Sequence, residues 1–262
     1  MSNTSSSVCA IELERWMDTL LDSHAISDYC PNGRQVAGKP KVGKIVSGVT
    51  ASLALLEAAI EHQADAILVH HGWFWKNEDP RLIGSKGKRA ALALKHGINI
   101  YGYHLPLDMH PSLGNNAQLA QIMGWEAKRD ANKQPLTCGP NGLIWLGHCG
   151  QNKTLKQLQD DIANILKRQP LVIGNADQTL HTIAWCTGAA QGMMQDAIDA
   201  GAQAFITGEA SEPNYHLANE TGTAFIAAGH HATERYGVKA LGEAVAQHFG
   251  IETVFIDLDN PI

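Results

Sequence analysis

Residues 66–72 read A-I-L-V-H-H-G, an apolar run that stops abruptly at two adjacent histidines and a glycine. A continuous apolar stretch of this length, bounded by polar residues, predicts a strand buried on both faces, as in a parallel sheet. His70 and His71 then stand where the strand meets its loop. In open α/β sheets that is where ligands bind, in the crevice beyond the carboxyl ends of the strands. Two further stretches repeat the arrangement: 98–108 reads I-N-I-Y-G-Y-H-L-P-L-D and 224–234 reads A-F-I-A-A-G-H-H-A-T-E. Each carries a histidine and, four residues on, a carboxylate: His104 with Asp108, and His230 with Glu234. Three strand ends thus deliver imidazoles and carboxylates, the donor set that suits zinc, iron, manganese or nickel.

Around these stretches, strand and helix patterns alternate. Strands are expected over 44–50, 64–69 and 98–103, helices over 51–62 and 86–96, and a short helix over 116–123. A middle segment offers a strand over 142–146, a helix over 154–167 and a short strand over 170–173. Strands then follow at 182–187, 203–207, 223–228 and 253–258, with helices over 193–200, 214–220 and 232–249. This alternation implies βαβ units and mostly parallel sheets flanked by helices. Upstream, the serines at 5–7 can cap a helix whose apolar stripe is Leu13, Trp16, Met17, Leu20 and Leu21. Residues 22–42, rich in Gly, Pro, Asn and Asp, read as a structured loop.

An internal repeat emerges when the halves are superposed. Residues from Ile45 align on those from Ile183 at an offset of 138, which sets His70 and His71 on Gly208 and Glu209. The third strand aligns at 126, which sets His104 on His230 and Asp108 on Glu234. The extra residues of the first copy fall around 73–84. By this alignment His104 belongs near the metals, as an alternative ligand or as a proton donor to substrate.

Taken singly, each motif has a plain explanation: a helix cap beside a surface histidine at His230–Glu234, a proline-set turn at H-L-P-L-D, and a core histidine in H-H-G. Adjacent strand residues point to opposite faces, so His70 and His71 serve one site only if the backbone turns, which Gly72 permits. The coincidence of three strand ends tips the reading toward metal. A carboxylate can bridge two ions about 3.5 to 4 Å apart, the usual hydrolytic arrangement, in which bound water is the nucleophile. No G-x-S-x-G, Walker loop or G-x-G-x-x-G following a strand offers another chemistry. Trp73 and Trp75, directly after H-H-G, could stack on a base or anchor their loop.

Composition sets the outer bounds. The chain has 262 residues, 44% hydrophobic and 18% charged, with a net charge of −6. That balance describes an ordinary globular protein and argues against a general nucleic-acid or anionic-membrane binder. Five widely spaced cysteines without C-x-x-C, no signal core and no run of membrane-spanning length predict free thiols and a cytoplasmic protein.

The phrases A-I-S-D-Y-C-P-N-G at 25–33, G-V-T-A-S at 48–52, V-H-H-G-W-F-W-K at 69–76, Y-G-Y-H-L-P-L-D at 101–108, G-N-N-A-Q-L-A at 114–120, F-I-T-G-E at 205–209 and A-A-G-H-H-A-T-E-R at 227–235 carry a resemblance. Together they resemble the bacterial YbgI-type branch of the Nif-three-like family, whose members are commonly labelled type 2 homologues of GTP cyclohydrolase I. The resemblance implies a dinuclear metal centre of two divalent ions held by His70, His71, Asp108, His230 and Glu234. It also implies two similar interlocking α/β domains, here 1–126 and 127–262 with 127–180 variable, the metal site between them, and a ring-shaped homohexamer. The cysteine–histidine zinc site of ordinary GTP cyclohydrolases has no counterpart in these motifs. Two functions follow as expectations: a metal-dependent hydrolase acting on a small molecule such as a nucleotide or related heterocycle, or a metal-binding scaffold without turnover.

Overall fold

A computed structural model of the protein describes residues 6–262. The chain divides into two compact units. One comprises the residues up to Leu113 together with Gly237–Asp259, the other Gly114–Tyr236 with Asn260–Ile262.

The first unit is built on a five-stranded sheet in the order Glu252–Phe255, Lys44–Thr50, Ala66–His71, Asn99–Gly102, Gly33–Val36. The first four strands are parallel and Gly33–Val36 runs antiparallel at the edge. Both faces are covered, as the apolar run at 66–69 requires. Ile45, Leu68 and Tyr101 pack with Leu13, Met17, Val238, Leu241 and Val245. Val46, Ile67, Val69 and Ile100 pack with Leu55, Leu56, Ala59, Ala90 and Ala93. Ser52 caps the Leu53–Glu61 helix by accepting from the Leu55 N–H, and Gly97 closes Gly84–His96 in the left-handed region.

Three details here depart from the sequence reading. The N-terminal helix spans Ala10–Leu21 with Cys9 at its N-cap, so Ser6 and Ser7 precede the cap, and Ser5 lies outside the described residues. The stretch 22–42 includes the strand Gly33–Val36, whose residues G-R-Q-V lack an apolar signature. H-L-P-L-D forms the short helix Leu105–Met109, with Pro106 in the first turn where no N–H partner is needed.

The second unit has a mixed sheet in the order Leu171–Ile173, Ala224–Ala227, Ala204–Thr207, Ile183–Trp185, Ile144–His148, Glu126–Ala127. Its three central strands, Ile183–Trp185, Ala204–Thr207 and Ala224–Ala227, are parallel, and the flanking ones are antiparallel. Ile183, Trp185, Ile206 and Ile226 share a core with Leu158, Ile162 and Leu166 of the Leu155–Leu166 helix, which a Thr154–Gln157 capping box starts. The fold is thus α/β, with parallel strands at the heart of both sheets and helices against them. The helix His230–Phe249 begins two residues earlier than the 232 read from sequence.

Strand registers establish the repeat and correct its last step. Ile45 pairs with Ala66 in one unit and Ile183 with Ala204 in the other, both at the expected offset of 138. Ala66 then pairs with Asn99, but Ala204 with Ala224, an offset of 125 (224 − 99) rather than 126. The left-handed helix ends at Gly97 and Gly222 keep the same 125. So do the first helical bonds, from Asp108 N–H to the His104 carbonyl and from Thr233 N–H to the Gly229 carbonyl. His104 therefore occupies the place of Gly229, one residue before His230.

Candidate metal centre

In the first unit, His70 is the last fully buried residue of the Ala66–His71 strand, and its ring is completely inaccessible. Its Nδ1 lies 2.9 Å from the Tyr103 carbonyl, which can only accept. That makes Nδ1 the donor and leaves Nε2 as the nitrogen that faces Asp108. Nε2 is 3.6 Å from the Asp108 carboxylate, itself buried in the first turn of Leu105–Met109. His71 Nδ1 is 3.3 Å from the Thr50 hydroxyl, and the two imidazole centroids are 4.6 Å apart. Gly72 contributes room here: a Cβ on it would overlap the Gln35 side chain, whose Oε1 accepts from Trp73 N–H at 2.6 Å.

His104 joins this pair. Its centroid is 5.1 Å from that of His70 and 5.9 Å from that of His71, and one ring nitrogen of each of the three lies within 4.8 Å of the others. A residue the sequence reading missed holds it there. Asp28 Oδ1 sits 2.9 Å from His104 Nδ1, Oδ2 accepts from Leu105 N–H, and Asn32 both donates to Asp28 and accepts from His104 N–H. Burial alone would raise the Asp28 carboxyl. The His104 and Asn32 hydrogen bonds, the His104 charge and the Leu105 N–H outweigh it and hold the group at about 2. Burial, and then the Asp28 charge, push the neighbouring Cys30 thiol up to about 12, so it stays protonated. None of the five cysteines is joined in a disulfide.

The second unit presents its own imidazole–carboxylate pair at the start of His230–Phe249. His230 Nε2 lies 3.1 Å from Glu234 one turn on, while Nδ1 lies 2.6 Å from Glu209. Glu209 stands at the position equivalent to His71, and the sequence reading did not count it as functional. Burial works to lower the His230 pKa, but the Glu234 and Glu209 carboxylates override it and raise the group to about 9. A positive charge is therefore favoured between these carboxylates. Gly188 completes the cradle: at φ +71°, its missing Cβ would overlap the Glu234 carboxylate and crowd His230 Nε2. Thr233 Oγ1 accepts from Gly188 N–H at 3.0 Å, and Thr207 Oγ1 donates to its carbonyl at 3.0 Å. Ring nitrogens oriented from behind, carboxylates facing them and space kept clear by glycines fit a divalent cation.

The sequence model of the DUF34/NIF3 family (NGG1p interacting factor 3) matches residues 9–261. The chain belongs to the DUF34/NIF3 family. Among curated relatives, a "GTP cyclohydrolase 1 type 2 homolog" of Neisseria meningitidis serogroup B is 51% identical over 94% of this chain and 96% of its own. The protein of the same description from Pseudomonas aeruginosa is 50% identical over 93% and 95%. The solved structure of protein ybgI, described as of unknown function, superposes with a TM-score of 0.90 at 44% identity, covering 97% of this chain and all of that one. The DUF34/NIF3 match takes in His70, His71, His104, Asp108, His230 and Glu234. Among the described residues of this family member, no helix is long and apolar enough to cross a membrane.

Proposed function

We propose that this DUF34/NIF3 protein is a dinuclear metal-dependent hydrolase acting on a nucleotide or related heterocycle. The observation that carries the reading is the same in each unit: an imidazole Nε2, oriented through the ring's other nitrogen, faces a carboxylate at a strand end. His70, His71, Asp108, His230 and Glu234 would hold the ions as one set, as the family resemblance implies. Two divalent ions so held supply Lewis acidity and a water that ionises near neutral pH. His104, tied to Asp28 through Nδ1, keeps Nε2 for proton transfer at the substrate, the part of a general acid or base. The substrate class draws on the description of the relatives as GTP cyclohydrolase 1 type 2 homologs. A cytoplasmic homohexamer is the assembly that accompanies this reading, and light scattering would check its mass.

The test screens nucleoside triphosphates, oxidised purines and pterin precursors against the wild type, the chelated protein and Glu234→Gln. Turnover that rises through neutral pH, vanishes on chelation and is lost in Glu234→Gln supports the hydrolase. Equal low rates in wild type and Glu234→Gln would reveal a contaminant and favour a metal-binding scaffold instead.

A further inference from the structure

The segment around 73–84, where the first copy of the repeat carries its extra residues, begins with two tryptophans that behave oppositely. Trp73 is 2% exposed, donates from Nε1 to the Ala51 carbonyl at 2.8 Å and lies under the Arg89 guanidinium. It anchors the loop. Trp75, two residues on, is only half-buried, and its ring stands 6.0 Å from that of His71 and 5.0 Å, edge to face, from that of His104. Between them Phe74 takes φ +67°, and Asn77 beyond takes φ +69°. A left-handed backbone at a bulky aromatic is costly, on the order of 1–3 kcal/mol, and persists where the surroundings impose it. Here it turns the chain so that Trp75 faces the histidines.

A second aromatic meets it there. Tyr29 is 52% exposed, its ring is 5.0 Å from His104 and 5.9 Å from Trp75, and its carbonyl accepts from Lys76 N–H at 2.7 Å. Tyr29 and Trp75 are already within aromatic contact distance, so a flat ligand has no room between them. The wall they form leaves exposed ring surface beside His71 and His104. Two rigid aromatic faces next to two imidazoles suit a planar heteroaromatic ring, because stacking on an aromatic needs only a π-face and tolerates varied hydrogen-bonding edges.

We infer that Trp75 and Tyr29 form, on their solvent-facing sides, a stacking subsite for the heteroaromatic ring of a purine-like ligand beside His104. The inference deepens the hydrolase reading and rests on it for calling that ring the substrate, but it is tested by binding alone. Equilibrium dialysis of the metal-loaded protein with guanosine, and with ribose as a probe lacking a base, is the experiment. The wild type should bind guanosine and not ribose. Trp75→Leu should weaken guanosine binding about 5- to 150-fold, the usual worth of one stacked base, and Trp75→Phe should restore most of it. Tyr29→Leu should weaken it in the same direction, and it carries the test should Trp75→Leu fail to fold. Absence of guanosine binding in the wild type, or equal affinity in wild type and Trp75→Leu, would overturn the subsite. Trp75-dependent binding without turnover of any screened nucleotide would retain the subsite and sink the hydrolase. Turnover indifferent to Trp75→Leu would do the reverse.

Discussion

Asp28 shows how one unforeseen carboxylate governs a catalytic candidate. Its carboxyl is held at about 2 against an ordinary 3.8: burial opposes the shift, and the hydrogen bonds from His104, Asn32 and Leu105 N–H overcome it. A depressed folded-state value means the stabilisation is complete above pH 3.8 and is lost as pH falls toward 2, and it amounts to about 2 kcal/mol. Asp28→Asn should therefore lose about that much stability in urea unfolding at pH 7, with the gap to wild type closing by pH 2. An unchanged gap would assign the effect to shape rather than charge. At His230 the sign is opposite. Burial lowers it but two carboxylates raise it to about 9, so an incoming cation must displace a proton. Metal affinity should fall about tenfold per unit as pH drops below 9, with a proton released on binding, and calorimetry in buffers of differing ionisation enthalpy reads both. Flat affinity between pH 9 and 7 would remove His230 from the ligand set. Asp108→Ala should purify folded but with markedly less metal than wild type, which elemental analysis would show. The candidate ligands were legible in the sequence because they sit at the ends of apolar runs. Asp28, Asn32 and Glu209 were not, because their partners lie 76, 72 and 21 residues away and no periodicity links them.

Among elements, those with a continuous apolar run or a wide helical stripe were readable almost to the residue: the strand at 44–50 was read with its exact bounds, Lys44–Thr50. Elements defined by their neighbours were not. Gly33–Val36 is a strand because Arg34 and Val36 pair with Tyr101 and Ile100, while its own residues carry no pattern. The two-residue strands Glu126–Ala127 and Thr137–Cys138 likewise exist only against Ile144–His148. The repeat slipped by one because matching letters drew His104 onto His230, whereas the ladder pairing and helix ends fix the offset at 125. Gly97 and Gly222 hold equivalent left-handed helix ends, at φ 62° and 74°. Replacing either with alanine should cost about 1 kcal/mol in urea unfolding. A marked cost at one and none at the other would argue against the structural equivalence.

At the scale of the molecule, the decisive fact is that the first unit is not continuous in the chain: residues 237–259 return to it after the second unit has been traversed. Val238, Leu241 and Val245 fill its core beside Leu13 and Met17, and Glu252–Phe255 forms its outermost parallel strand. A chain ending at Tyr236 should keep a protease-resistant second unit while the first is digested, and mass spectrometry of the fragments would decide it. Equal resistance of both would mean that the returning segment is dispensable. The same topology orders events on the ribosome. Domains emerging in sequence ordinarily fold amino-terminal first. Here the amino-terminal sheet must wait, its Lys44–Thr50 strand presenting an unpaired edge and its Leu13–Met17 face bare, until the last stretch is synthesised. The second unit, continuous except for residues 260–262, is nearly whole well before then. The half that carries His70, His71 and Asp108 is thus the later to mature, and a nascent chain stalled before residue 252 exposes the strand edge that invites aggregation.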